Sequence, residues 1–189
     1  MQCESVLGWY TEEMEYFSAI TDKDIFENPV PEPNEYAERP TSRGIILDKD
    51  DLVCLYTIYG RSLFPGGGIE EGESPEQAFI REAKEEAGCD VQIISLLGKT
   101  LEFRNRPARK YEIYFFIAQV VGEKGEPTST QENEQGMVIE WFSKEKALSV
   151  LEDQIETLAK DVYMPHFSCR THLAAFKKFL ESECTVGQK

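Results

Sequence analysis

Short apolar runs separated by polar turns predict β-strands through the middle of the chain. The predicted strands are "RGIILD", "DLVCLYTIY", "VQIISLLGKTLEF", "KYEIYFFIAQVV" and "MVIEWF". A polar "KDD" turn separates the first two strands, and a basic turn joins the third strand to the fourth. The polar loop "GEKGEPTSTQENEQG" leads to the fifth. This pattern predicts a β-sheet between residues 42 and 142.

Other segments have the apolar spacing of helices. A helix is expected to begin near Ser143, and "HLAAFKKFLES" predicts a docked C-terminal helix. The segment "YTEEMEYFSAI" can form a short helix, whereas four prolines in "NPVPEPNEYAERP" oppose regular structure. Strands and helices in this order predict an α+β fold, in which a few helices pack on a mixed sheet.

A further helix, which follows three glycines, has sequence signals at both ends. Ser74 is a natural N-cap, Pro75 suits the first helical position, and Gln77 completes a capping box. Gly88 supplies the stop, because glycine readily adopts the left-handed conformation that ends many helices. The helix is therefore expected to begin directly after Ser74 and to end before Gly88.

Acidic residues are concentrated around this helix, since seven of the 24 residues from Gly66 to Cys89 are glutamates. On a helix, Glu82, Glu85 and Glu86 lie within an arc of about 100° and share one face. That face borders an apolar stripe formed by Phe79, Ile80, Ala83 and Ala87. Glutamates three and four apart repel each other by a few tenths of a kcal/mol per pair. Removing one charge is therefore expected to stabilise the protein when no cation is bound.

Clustered carboxylate oxygens are the ligands that hard divalent cations such as Mg²⁺ or Mn²⁺ prefer. The alternative, from the helix alone, is a charged surface that only water contacts. The formal net charge of −15 opposes non-specific binding of nucleic acid, which depends on Lys and Arg. An acidic protein that binds a phosphate ligand needs cations between the two, so the charge favours the metal interpretation if the ligand is a phosphate.

The compartment is predicted from what the sequence does not contain. Nothing in it resembles a transmembrane run or a secretory signal. The cysteines are widely spread without a C-x-x-C pair, and they are Cys3, Cys54, Cys89, Cys169 and Cys184. Such thiols are expected to be mostly reduced. We therefore expect a cytoplasmic protein without membrane contact.

The residues from Gly67 to Cys89 resemble the signature box of the Nudix hydrolases. Five residues separate Gly67 from Glu73, and seven more precede the run "REAKEEAGC", which begins at Arg81. Ala83 and Cys89 occupy two positions where the family usually has a larger aliphatic residue. Both are small and apolar, so the packing is expected to differ slightly while the chemistry is kept.

The resemblance extends from about Ser42 to Leu151 and implies three parts. These are an N-terminal extension (1–40), a Nudix hydrolase domain (41–151) and a C-terminal helical extension (152–189). The implied domain is an α/β/α sandwich with a mixed sheet, in which the box forms a loop–helix–loop. The two extensions are candidates for a homodimer contact or a lid.

The resemblance also implies a reaction and a cofactor. The reaction is hydrolysis of a nucleoside diphosphate linked to another group, by attack of water on the pyrophosphate. Nucleoside triphosphates and nucleotide sugars are the expected substrates, so the expected partner is a small-molecule nucleotide. By position in the box, Glu82, Glu85 and Glu86 hold Mg²⁺ or Mn²⁺ together with the backbone carbonyl of Gly67.

The remaining box residues and a later loop supply further candidates. Arg81 is expected to pair with Glu73 and to brace the loop, which is a structural role. In this family another glutamate often comes from the loop before the last strand, as metal ligand or general base. Glu132 and Glu134 are the candidates, and a solvated loop is the alternative. The sequence does not choose the base among Glu82, Glu132 and Glu134.

The turn "FRNRPARKY" is notably basic in an acidic chain. Arg104, Arg106 and Arg109 are candidates for contacts with the phosphates or sugar of the substrate. A simple basic hairpin turn is the favoured alternative. Nearby aromatic residues either stack on a base or, as is commoner in strands, pack in the core, and they are Phe103, Tyr111 and Tyr114.

Two alternatives concern other classes of site and function. His166, Cys169 and His172 are spaced by threes, but a structural zinc site normally takes four ligands, so a docked helix is favoured. A non-catalytic nucleotide-sensing or protein-binding module is the alternative to an enzyme, because a fold does not determine a function. The complete carboxylate set favours the enzyme.

Overall fold

The computed structural model describes residues 16–128 and 136–186. The strands are β1 Tyr16–Thr21, β2 Ala37–Leu47, β3 Val53–Ile58, β4 Arg61–Leu63, β5 Gly66–Gly68, β6 Val91–Arg104, β7 Arg109–Val120 and β8 Val138–Phe142. The helices are α1 Asp22–Ile25, α2 Pro75–Ala87, α3 Lys144–Thr157 and α4 Met164–Val186. The five predicted strands and the predicted helices after the glycines, after Ser143 and at the C-terminus are therefore confirmed.

The described strands form one mixed sheet in the order β1-β6-β7-β2-β3-β4, with β5 paired to β2 and β8 paired to β3. β6 and β7 form a long antiparallel hairpin across the predicted basic turn. β2 runs parallel to β7 along its whole length, and β1 runs parallel to β6. The mixed sheet expected from the sequence is confirmed.

Helices cover both faces of this sheet. Successive residues of a strand point to opposite faces, and Ile45 and Ile46 of β2 belong to different core clusters. The cluster of Ile46 contains Phe79 of α2, whose ring stacks on that of Phe116 at 5.6 Å. The cluster of Ile45 contains side chains of α3 and α4, such as that of Phe176. The α/β/α sandwich is therefore confirmed.

The ends of α2 are built as the sequence predicts. The Ser74 hydroxyl accepts a hydrogen bond from the Gln77 backbone N–H, and the reciprocal bond of the capping box is present. Gly88 ends the helix in the left-handed region with φ 65°. A Cβ atom there would also lie 2.5 Å from the Gly125 carbonyl oxygen. Both the backbone conformation and the lack of space therefore require glycine at this position.

Two expectations for the N-terminal region are wrong for part of their residues, and residues 10–15 of the expected helix lie outside the described ranges. Residues 16–21 form β1 rather than a helix, because Phe17 packs against Gly98 and Phe115 when the segment joins β6. This tertiary pairing outweighs the local helical pattern. The stretch from residue 28 to 36, which holds three of the four prolines, has no helix or strand, as expected. Pro40 is the exception, because it lies inside β2 and its carbonyl accepts a bond from the Ile69 N–H at 3.2 Å.

α4 is longer than the predicted C-terminal helix, since it has 23 residues and begins at Met164. It packs on the sheet face that carries Phe115. No helix in the described ranges is long and apolar enough to cross a membrane.

Candidate active site

The short strand β5 brings its backbone against α2. Gly66 has φ 140°, and a side chain there would lie 2.1 Å from the Ser42 carbonyl oxygen. A Cβ atom on Gly67 would lie 2.2 Å from Oε1 of Glu82. The Ser42 hydroxyl donates to the Pro75 carbonyl at 2.7 Å and ties the start of α2 to β2. Glycine is therefore required where the backbone meets the helix carboxylates.

Arg81 lies at the centre of this arrangement. Its guanidinium forms a two-point ion pair with Glu73, with Nε–Oε1 and Nη2–Oε2 distances of 2.8 and 3.1 Å. Nη1 donates to Glu82 Oε1 at 2.8 Å and to Glu85 Oε2 at 3.2 Å. Nη2 also donates to the Gly68 carbonyl at 3.1 Å. The Arg81 side chain therefore connects the loop before α2, through Glu73, with the glycine strand β5 and with the carboxylates of Glu82 and Glu85.

The charges in this network shift several ionisation equilibria. The hydrogen bonds from Arg81 lower the pKa of Glu73 to about 2. Burial raises the pKa of Glu82, and the hydrogen bond from Arg81 only partly opposes this effect. Glu73 is therefore a firmly ionised ion-pair partner, whereas the charge on Glu82 is opposed by its surroundings.

Glu86 is buried, with 7% of its surface exposed, and its Oε2 accepts a bond from the Gly66 N–H at 2.7 Å. Arg43 is the nearby cation that interacts with the Glu86 charge. Burial lowers the pKa of Arg43, but Tyr56 and Glu86 outweigh burial and the pKa is raised. The Arg43 guanidinium donates to the Tyr56 hydroxyl at 3.2 Å and to the Phe64 carbonyl at 3.3 Å.

Two arginines of β2 near the box were missed by the sequence reasoning. Arg43 interrupts the strand pattern "SRGIIL", and a lone arginine before an apolar run was the available signal. Arg39 is exposed, and its Nη2 atom would be 3.9 Å from a Cβ atom on Gly68. Their closeness to β5 follows from the register that pairs Thr41 with Gly68, which no local pattern predicts.

The box carboxylates fit a hard divalent cation by their donor chemistry, because all of their ligand atoms are oxygens beside a backbone that lacks side chains. Within the described ranges, no three His, Cys, Asp or Glu side chains already surround one point as ligands would. The hydrogen bonds explain this, since Glu82 and Glu85 turn to Arg81 while Glu86 turns to the Gly66 N–H.

The loop candidates Glu132 and Glu134 lie outside the described residues. The choice of general base among them and Glu82 therefore stays a prediction.

The three arginines of the basic turn lie in different surroundings. Arg104 is buried, donates to Glu102 Oε2 at 2.7 Å and stacks over the Tyr111 ring at 4.2 Å. Arg106 and Arg109 are exposed, and Arg106 lies over the Tyr163 ring at 4.6 Å. Their contacts with substrate stay predictions, and Arg104 has the least solvent access.

The aromatic residues and the histidine–cysteine motif have packing roles. Tyr111 belongs to the core, which confirms the favoured alternative for this residue. The His172 Nδ1 atom accepts a bond from the Phe64 N–H at 2.9 Å. Nδ1 of His166 accepts from Arg170 at 2.8 Å. Both histidine rings are hydrogen-bonded within the protein, which agrees with the favoured interpretation of this segment as a docked helix rather than a zinc site.

Comparison with known proteins identifies the family of this chain. The family model of the NUDIX domain matches residues 38–164. The chain therefore belongs to the Nudix hydrolase family, and it is a pyrophosphohydrolase.

Its relatives act on different compounds according to their names. Diphosphoinositol polyphosphate phosphohydrolase 3-alpha of Mus musculus is 33% identical over 124 residues, which are 64% of this chain and 73% of the relative. The 8-oxo-dGTP diphosphatase of Escherichia coli K12 is 41% identical over 80 residues, which are 42% of this chain and 56% of the relative. The names of the relatives therefore do not define one substrate.

The solved structures add support for the fold. A NUDIX hydrolase from Nitrosomonas europaea superposes with a TM-score of 0.59 at 20% identity, covering 77% of this chain and 90% of that chain. The MutT protein from Methanosarcina mazei Go1 gives 0.54 at 19% identity, covering 80% and 99%. At this identity the likeness concerns the fold alone.

Proposed function

We propose that the protein hydrolyses the pyrophosphate of a nucleoside diphosphate linked to another group, such as a nucleoside triphosphate or a nucleotide sugar. The reaction requires Mg²⁺ or Mn²⁺. The observation that carries the proposal is the Arg81 network, in which one guanidinium holds Glu73, Glu82 and Glu85 beside the glycine strand. An acidic helix face that only water contacts would not be expected to form such a network.

In this proposal Glu82, Glu85 and Glu86 hold the cation together with the Gly67 carbonyl. When bound, the cation neutralises charge on the phosphoryl oxygens and lowers the pKa of the attacking water. Arg81 orients the Glu82 carboxylate through its hydrogen bond at 2.8 Å. A carboxylate oxygen of Glu82, or of a glutamate in the following loop, accepts the proton of the water.

Cations of the protein itself also contribute to substrate binding. Arg39 is exposed beside Gly68, and the structure records no ion pair for it with any described carboxylate. We assign Arg39 to the phosphates of the substrate, because a guanidinium binds phosphate oxygens at two points. Arg109 remains a candidate for the distal part of the substrate, whereas Arg106 lines a cavity on the other side of the sheet from α2.

A diphosphoinositol polyphosphate is the second candidate substrate. It contains the same pyrophosphate bond. Two relatives with this name match the chain over 73% of their own length. The exposed Arg39 and Arg109 favour it, because the register that pairs Ala37 with Arg109 places both arginines at the same end of neighbouring strands. The ion pair between Arg104 and Glu102 counts against this candidate, because it leaves fewer cations free to bind so highly charged a ligand.

A substrate panel tests both candidates and the non-catalytic alternative. The chain is incubated with nucleoside triphosphates, nucleotide sugars and a diphosphoinositol polyphosphate, with Mg²⁺, with Mn²⁺ or with excess EDTA. Products are separated by anion-exchange chromatography and phosphate is measured after pyrophosphatase treatment. Cleavage that disappears in EDTA and in Glu86→Gln supports the proposal. Full activity in EDTA, or no cleavage of any compound, overturns it.

The predictions of a cytoplasmic location and of a homodimer contact are kept as hypotheses. Cell fractionation and sedimentation equilibrium, respectively, test them.

A further inference from the structure

A cavity lies on the other side of the sheet from α2. Its volume is about 530 Å³, and it lies between the segment after α1, the end of α3 and the start of α4. The lining residues that carry the argument are Phe26, Arg106, Lys160, Tyr163, His166 and Arg170. None of the residues that line it belongs to the Nudix box.

The aromatic wall of this cavity is held in place by hydrogen bonds. The Tyr163 hydroxyl donates to Oδ1 of Asp22, which is fully buried. The Arg106 backbone N–H donates to the same hydroxyl at 3.1 Å. The Phe26 ring stacks on the Tyr163 ring at 5.3 Å with an angle of 7° between the planes. The wall is therefore formed before any ligand binds.

Three cations face the cavity without a carboxylate partner. Arg106, Lys160 and Arg170 form no ion pair within 4.0 Å with any carboxylate that the structure describes. Glu27 and Glu156 also line the cavity, but both are exposed and neither pairs with these cations. In a chain with 35 acidic and 20 basic residues, three such cations at one cavity need an explanation.

The orientation of Arg170 is fixed by His166. The buried His166 ring donates from Nε2 to the Ala159 carbonyl at 3.2 Å, which leaves Nδ1 as the acceptor for Arg170 Nη1 at 2.8 Å. Arg170 also donates to the His166 carbonyl at 3.1 Å. Both acceptors are neutral, so the positive charge of Arg170 is not compensated. The first turn of α4 adds the partial positive charge of a helix N-terminus.

We propose that this cavity binds a small phosphorylated molecule through Arg106, Lys160 and Arg170. Arginine binds phosphate oxygens at two points, and lysine adds a compact charge. The volume lies within the range of about 300–1,000 Å³ that is typical of small-molecule sites and exceeds the needs of inorganic phosphate. The source of the phosphate group is either free phosphate or a phosphate ester, and the cavity is separate from the Nudix box.

Calorimetric titration of the full chain in excess EDTA tests the proposal, because divalent cations are then absent from the box. The probes are inorganic phosphate, AMP and, as a control without phosphate, adenosine. Saturable binding of phosphate or AMP is expected. Arg170→Met should weaken it about tenfold, the effect of losing one charge-assisted interaction. Lys160→Met, at an exposed linker position, should weaken it without affecting folding.

Matched variants test whether the phosphate compound binds in the cavity. Lys178→Met removes an exposed charge from α4 outside the cavity and should leave the affinity unchanged. Glu86→Gln changes the box and should also leave it unchanged. Equal affinity for phosphate and AMP identifies free phosphate as sufficient, whereas tighter AMP binding identifies an ester. The proposal is wrong if no phosphate compound binds, if adenosine binds as tightly as AMP, if both cavity variants bind normally, or if Glu86→Gln abolishes binding.

Discussion

Replacing Arg81 with alanine is expected to lower the melting temperature of the metal-free protein substantially. The Arg81 side chain is 25% exposed, and its partners Glu73 and Glu82 are 20% and 15% exposed. Removing one partner of a fully buried pair costs about 3–5 kcal/mol, whereas an exposed pair contributes about 0.2–1 kcal/mol. This half-buried network lies between the two limits, so we expect a loss of about 2–3 kcal/mol.

The loss converts to a fall in melting temperature of about 4–12 °C, at about 2–4 °C per kcal/mol for a domain of this size. Circular dichroism or differential scanning fluorimetry in EDTA measures it. Arg81→Lys keeps the charge but not the two-point geometry, so an intermediate fall is expected. Lys178→Ala, an exposed change elsewhere, should have no effect.

A double-mutant cycle tests the origin of this effect. Glu73→Gln removes the negative charge, and one of the two acceptor oxygens, of the carboxylate that forms two hydrogen bonds with Arg81. If the pair acts as a unit, the double variant should melt higher than the sum of the single losses predicts. A melting temperature of Arg81→Ala within about 1 °C of the wild type would refute the interpretation of Arg81 as the brace of the box.

Further variants test the chemistry and the thiols. Glu82→Gln and Glu86→Gln should each lower kcat by roughly a hundredfold or more in the substrate assay, the scale of losing one preorganised electrostatic group; near-normal rates would exclude that variant's residue from the site. In a Cys3→Ser background, Cys184 should react with a thiol reagent at pH 8 in the native protein, because it is exposed. Burial raises the pKa of the other described thiols, so these should react only after unfolding, and they are Cys54, Cys89 and Cys169.

The part of the fold around α2 was predictable because its signals are local. Ser74, Gln77 and Gly88 act within one or two turns of the helix, so the sequence contains everything that defines its ends. The strand pattern likewise follows from the alternation of neighbouring residues. The grouping of Glu82, Glu85 and Glu86 on one face needs only the helical repeat.

The parts that were not predictable depend on pairing across the chain. Residues 16–21 became a strand because β6 offers an edge and Phe17 finds space over Gly98, which lies more than 70 residues away. Arg39 and Arg43 approach the box only through the register between β2 and β5. The neutralisation of Arg104 required knowing that Glu102 is buried beside it.

Glu85 distinguishes the sequence-based view of the charge cluster from the structural one. The sequence predicts that Glu85→Gln stabilises the metal-free protein, but Glu85 Oε2 lies 3.2 Å from Arg81 Nη1 and the side chain is 43% exposed. Such an i,i+4 pair contributes about 0.3–0.5 kcal/mol, which is similar to the cost of the i,i+3 repulsion between Glu82 and Glu85. Glu85→Gln alone should therefore change the melting temperature by no more than about 2 °C.

The stabilising effect of Glu85→Gln should appear once Arg81 is absent. In the Arg81→Ala background the attractive pair is lost and the repulsion remains, so Glu85→Gln should raise the melting temperature in EDTA. Saturating Mg²⁺ should reverse this order, because a cation bound by three carboxylates stabilises the folded state more than a cation bound by two. If Glu85→Gln lowers the melting temperature of Arg81→Ala in EDTA, repulsion is not what the Arg81 side chain offsets. Glu85 would then have a structural partner other than Arg81.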